Sequence, residues 1–146
     1  MINIKKNKLL INVLSLPYGK SILKKELSPQ DLELNHLEFC GPINVSLELF
    51  KSNKAVRVSG AVDFCLILEC VNCLEKFKRQ FSEKIYQEYI KIEPYRIPFS
   101  EELEETDFIR EYYTTDFFDV APLIHDIIIL AIPIAPWCQE NCPGVK

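Results

Sequence analysis

Four of the six cysteines fall into two close pairs, Cys70-x-x-Cys73 and Cys138-x-x-x-Cys142. Either spacing lets one tight turn aim two thiolates along the edge of a tetrahedron, as in structural zinc sites. Together Cys70, Cys73, Cys138 and Cys142 could form a closed shell of four thiolates around zinc. The 64 residues between Cys73 and Cys138 exceed the span of a compact zinc ribbon, so the site requires a fold that returns the C-terminus to residue 70. Without that return the four are reduced thiols. Cys40 stands alone and Cys65 sits inside a strand pattern; both are expected to be small apolar core thiols.

Other chemistry finds less support. A thioredoxin-like redox pair needs its first cysteine at a helix N-terminus, where the dipole lowers the thiol pKa. Here Cys73 is followed by Leu74-Glu75-Lys76-Phe77-Lys78-Arg79, without a helix start signal. His36 and His125 are the two histidines, and helical neighbours such as His125 and Asp126 point about 100° apart, so no dyad is expected from their adjacency. Four glycines supply no phosphate-binding loop. The chain therefore reads as a non-enzyme with no catalytic residues and no small-molecule substrate.

Beside the first cysteine pair, Lys76-Phe77-Lys78-Arg79-Gln80-Phe81 interleaves bases with aromatics. On a strand Lys76 and Lys78 project from one face and Arg79 from the other. Lys76, Lys78 and Arg79 are candidate RNA contacts, through phosphate and stacking; an amphipathic strand with solvated lysines is the simpler alternative.

With 146 residues, 48% of them apolar and 26% charged, the chain has material for one domain spanning 1–146, with a core that needs no disulfide staples. The net charge of −4 is unevenly spread. Residues 1–91 carry 14 basic and 10 acidic groups, and residues 92–146 carry 3 and 11. The first part could face a polyanion that the second would repel. Lys5, Lys6 and Lys8 before a short apolar run resemble a leader, but Asn12 interrupts the run and a first strand is the simpler reading. The apolar stretch 127–137 is too short to cross a bilayer, and Pro133 and Pro136 break it. A cytoplasmic protein that engages no membrane is expected.

These residues must be positioned by strands and one helix. Residues 9–16 read as a first strand, and Ser28-Pro29 as the start of a short helix. Val45, Leu47 and Leu49 alternate with polar residues, and 51–54 form a hairpin-length polar loop. Val56, Val58, Val62, Phe64, Leu66 and Leu68 then share one strand face, with Gly60 suggesting a bulge or bend. Ala61, Cys65 and Ile67 make the opposite face apolar too, so this strand is expected to be covered on both sides. Phe77, Phe81, Ile85 and Tyr89 fit either a strand or a helix, and their aromatic and β-branched character favours the strand. Residues 92–107, with an acidic cluster at 101–105, read as a solvated mobile loop, or else as a docking segment for a basic protein. Residues 108–113 suggest an edge strand. Asp119 and Pro122 open a helix that buries Val120, Ile124, Ile127, Ile128 and Ala131 and stops at Pro133. The fold class is α+β: a mostly antiparallel sheet, a C-terminal helix and one short helix near the N-terminus.

Two ordered blocks resemble the bacterial YceD family, the large ribosomal RNA subunit accumulation proteins. The first runs from Val58-Ser59-Gly60-Ala61-Val62 to Leu68-Glu69-Cys70-Val71-Asn72-Cys73-Leu74-Glu75. The second is Phe118-Asp119-Val120 followed by Asp126-Ile127-Ile128-Ile129-Leu130-Ala131-Ile132-Pro133-Ile134-Ala135-Pro136. Asn72 departs from the pattern, standing where the family often has Arg, which removes one candidate phosphate contact. The resemblance implies a non-catalytic cytoplasmic factor for processing or accumulation of large-subunit ribosomal RNA. Its expected partner is a ribosomal RNA precursor, a ribosomal protein, or both. The rival expectations are an acidic module holding a basic ribosomal protein and, more remotely, a thiol oxidoreductase.

Overall fold

Alternating apolar residues dominate 43–91, and in a computed structural model this stretch forms three long antiparallel strands. Residues 9–92 and 110–144 are described. The 101–105 cluster and nearly all of the loop expected over 92–107 lie outside them. The elements are β1 (Leu10–Asn12), β2 (Gly19–Leu27), β3 (Ile43–Lys51), β4 (Ala55–Glu69), β5 (Lys76–Lys91), β6 (Arg110–Tyr113), β7 (Phe117–Asp119) and α1 (Ala121–Ala131).

Strands β2-β3-β4-β5-β6 form one sheet in that order, antiparallel except for the β5–β6 pair, and β1 pairs with β7 in a second, two-stranded sheet. The α+β class with a predominant antiparallel sheet and a C-terminal helix is thus observed. Pairing places Val45 opposite Val62, Leu49 opposite Val58 and Phe64 opposite Phe81, so one sheet face is continuously apolar. That face meets α1, through the buried Val120, Ile124 and Ile128, and the small sheet, through Leu9, Ile11 and Phe118. Tyr89 stacks on Phe118 with ring centroids 3.9 Å apart, joining the two sheets.

Several local expectations change. The first strand stops at Asn12, whose side chain accepts from the Leu14 N–H and opens a 3-10 turn over Val13–Ser15. The short helix at Pro29–Leu32 is a 3-10 turn, with the Ser28 N–H donating to the Asp31 carboxylate. Strand β2 was not anticipated, because Lys20, Lys24, Lys25 and Glu26 mask its alternation. Strand β4 is covered on one side only, and Ala61, Cys65 and Ile67 on the other are half-buried.

Gly60 makes no bulge: the register passes unbroken from Leu47 to Gly60 to Ile85. Its φ is +156°, and a Cβ there would lie 1.9 Å from the Ser46 carbonyl oxygen. The glycine is required by close strand approach. Helix α1 begins where expected, with the Ala121 N–H donating to Asp119 Oδ1 at 2.9 Å. It ends at Ala131, with Ile132 as its extended cap just before Pro133.

Candidate metal centre

The hairpin formed by β4 and β5 carries the first cysteine pair at its tip. Register holds to the last pair, Glu69 opposite Lys76, so the six residues between must reverse the chain tightly. The Cys70 N–H donates to the Glu75 carbonyl and the Leu74 N–H to the Cys70 carbonyl. Leu74 takes φ +64°, the left-handed conformation that closes the turn. A β-branched residue would fit poorly there.

The second pair arrives by the return that the long gap demanded. After α1 the chain runs back along the hairpin tip, where the Val71 N–H donates to the Pro136 carbonyl at 2.9 Å. Asn72 Nδ2 donates to the Cys142 carbonyl at 2.9 Å, and Arg79 Nη2 donates to the Trp137 carbonyl at 2.5 Å. Asn72 thus clasps the tail.

These contacts bring all four sulfurs together: Cys70, Cys73, Cys138 and Cys142 place their Sγ atoms within 4.8 Å of one another. Cys70 and Cys142 are 3.7 Å apart, and Cys73 and Cys138 are 3.8 Å apart. A tetrahedral zinc with Zn–S bonds of about 2.3 Å has S···S edges of about 3.8 Å. Cys70 is fully buried and the other three are half-buried. The set fits a closed metal shell with four protein ligands.

Thiol ionisation points the same way. Burial opposes a Cys70 thiolate, yet backbone groups of Cys73, Cys138 and Asn72 and the Cys73 side chain bring its pKa down to about 6. At Cys73 a backbone bond from Glu75 favours the anion, but burial and the Cys70 and Cys142 sulfurs outweigh it and raise the pKa. Burial, followed by the other three sulfurs, pushes Cys138 up to about 12. Gathered sulfurs resist shared ionisation, and a bound divalent cation reverses that penalty. Nothing here resembles a redox helix terminus, since Cys70 lies in a turn between strands.

The remaining candidates are placed as follows. Lys76 and Lys78 lie on the solvent face of β5, with Lys76 3.6 Å from Glu38. Arg79 lies on the opposite face, its guanidinium 5.1 Å from the Phe77 ring centroid and bound to the tail. His125 Nδ1 lies 3.1 Å from Asp126 Oδ1, so adjacency does bring the two together although helical neighbours point about 100° apart. Both side chains bend toward each other at the helix surface.

The reading of Cys40 and Cys65 as core thiols is overturned: they form a disulfide, with Cα atoms 5.3 Å apart. The segment around Cys40 extends the sheet beside β4 beyond the end of β3. There the Cys40 N–H donates to the Cys65 carbonyl and the Ile67 N–H to the Glu38 carbonyl. No sequence signal marked this pairing, because an isolated bridge between Phe39 and Leu66 is too short to leave a period.

Among known proteins, residues 58–146 match the family described as large ribosomal RNA subunit accumulation protein YceD. The chain is similar to the uncharacterized protein ML1660 of Mycobacterium leprae (strain TN), with 28% identity over 115 residues. That alignment covers 78% of this chain and 50% of the relative, so it spans about half of that protein's length. No solved structure matches. Among the described residues no helix is long and apolar enough to cross a membrane. The matched region takes in the hairpin tip with Cys70 and Cys73, helix α1 and the returning tail with Cys138 and Cys142; the chain belongs to the YceD family.

Proposed function

We propose that this protein is a non-catalytic, cytoplasmic ribosome-biogenesis factor that binds precursor large-subunit ribosomal RNA. The family match over 58–146 carries this reading. Zinc on Cys70, Cys73, Cys138 and Cys142 is the proposed cofactor. Four protein ligands leave no open coordination position, so its role is to lock the tail to the hairpin tip. Lys76 and Lys78 offer ammonium groups to phosphate from the solvent face of β5. Arg79 contributes only the donors that its bond to Trp137 leaves over. Depletion of the protein in its host, followed by gradient profiles, tests the reading. Large-subunit particles should fall and precursor RNA should accumulate; normal levels of both would exclude the role.

A specific observation favours a second reading, in which a ribosomal protein is the partner. Leu74, Leu130, Ile134 and Trp137 are exposed around the end of α1 and the cysteine turn. Apolar side chains of this size on a surface suit protein docking. The acidic second part of the chain would then hold a basic protein before assembly, and crosslinking in cells would recover protein without RNA.

A further inference from the structure

The five-stranded sheet has one face on the core and one face in solvent, and register fixes what the solvent face displays. Lys20, Phe50, Arg57, Glu88 and Arg110 form one row across all five strands. Tyr86 lies in the next row, opposite Ser59, and Tyr112 lies on the other side, opposite Ile90. Phe50, Tyr86 and Tyr112 are 46%, 45% and 40% exposed. All three rings point away from the core, each exposed singly.

From strand and residue spacings, Phe50 and Tyr86 stand about 12 Å apart and Tyr86 and Tyr112 about 14 Å apart. They are too distant to stack on one another. Charged groups of both signs lie among them, and the Tyr86 hydroxyl donates to Glu88 Oε1 at 3.1 Å. The Arg57 guanidinium lies 5.5 Å from the Phe50 ring centroid, and Lys20 and Arg110 are ion-paired with Glu48 and Glu88. Lys24 and Lys84 occupy the row beyond Tyr86. These rows carry five cations against two carboxylates, and the row beyond adds Glu26 and Asp63, which leaves an excess of one cation in a chain whose net charge is −4. A local positive excess on a negative protein complements a polyanion.

We propose that this face is a stacking platform for single-stranded RNA, with Phe50, Tyr86 and Tyr112 receiving bases and Arg57 and Lys84 receiving phosphates. The proposal rests on the RNA-binding reading above and goes beyond it in naming the surface and the form of the RNA. Unpaired bases offer π-faces to aromatic side chains, whereas a duplex keeps its base faces stacked inside.

The test is fluorescence anisotropy of the purified full-length chain with a labelled mixed-sequence single-stranded RNA oligonucleotide and with its duplex. The wild type should prefer the single strand. Each ring replaced by alanine should weaken binding by about fivefold or more, and Phe50→Ala/Tyr86→Ala/Tyr112→Ala by about a hundredfold. The single variants and Arg57→Gln supply the answer if the triple variant fails to fold, as judged by circular dichroism. Unchanged affinity in the folded ring variants, with loss only in Lys76→Glu/Lys78→Glu, would overturn the platform and leave the RNA-binding reading intact. Absence of any RNA binding by the wild type would overturn both. Ring variants that keep RNA affinity but lose a protein partner in cells would overturn the platform in favour of a protein-docking face.

Discussion

Substituting Cys142→Ser removes one sulfur from the cluster while leaving a side chain of similar size in a half-buried position. Any large effect therefore reports loss of metal, since packing scarcely changes. A metal clip between Cys73 and Cys138 joins points 65 residues apart in the chain. By chain entropy, a link closing a loop of that length stabilises the fold by about 4 kcal/mol at 25 °C. For a domain near this size that corresponds to a fall in Tm of about 10–15 °C when the clip is lost. The assay has two parts: zinc content of protein purified under reducing conditions without chelator, and thermal melts with and without chelator. One zinc per chain is expected, with chelated wild type melting like Cys142→Ser. A zinc content near zero, or melts that neither chelator nor the substitution moves, would refute the reasoning and leave the cysteines as packed thiols.

Three further outcomes are expected. Gly60→Ala should destabilise by about 3 kcal/mol or more, because the added Cβ meets the Ser46 backbone; a denaturant midpoint within error of wild type would contradict the close approach. Arg79→Gln should release zinc to a colorimetric chelator about tenfold faster, through loss of the bond to Trp137; partial rescue by Arg79→Lys is expected, and an unchanged release rate would remove Arg79 from this role. The Cys40–Cys65 link closes 25 residues, so Cys65→Ser should cost about 3–4 kcal/mol in melts under non-reducing conditions. Reductant should lower the wild type to the variant's midpoint while chelator leaves the difference between them unchanged; coincident non-reducing melts would refute a stabilising link.

The long central strands were legible because Val45 to Leu49 and Val56 to Leu68 alternate over enough residues to fix a face. Helix α1 was legible from Asp119, Pro122 and the spacing of Val120, Ile124 and Ile128. Period failed where elements are short or their outward residues are mostly charged. Strand β2 shows lysines on both faces at an edge, and β1 and β7 are three residues each, so neither leaves a pattern. The cysteine spacings marked the four thiols as candidates, but their gathering depends on Asn72, Val71 and Arg79 fastening the tail, and those contacts leave no spacing to read. The Cys40–Cys65 bond lay beyond reach for the same reason. The aromatic face emerged only from register, since Phe50, Tyr86 and Tyr112 come from three different strands.

The central claim, that this YceD-family protein binds precursor ribosomal RNA, is tested most directly by ultraviolet crosslinking in living cells followed by sequencing of the attached RNA. Large-subunit precursor fragments are expected with the wild type, and their recovery should fall when Lys76 and Lys78 are changed to Glu. Recovery of no ribosomal RNA, with a protein partner crosslinked in its place, would contradict the account.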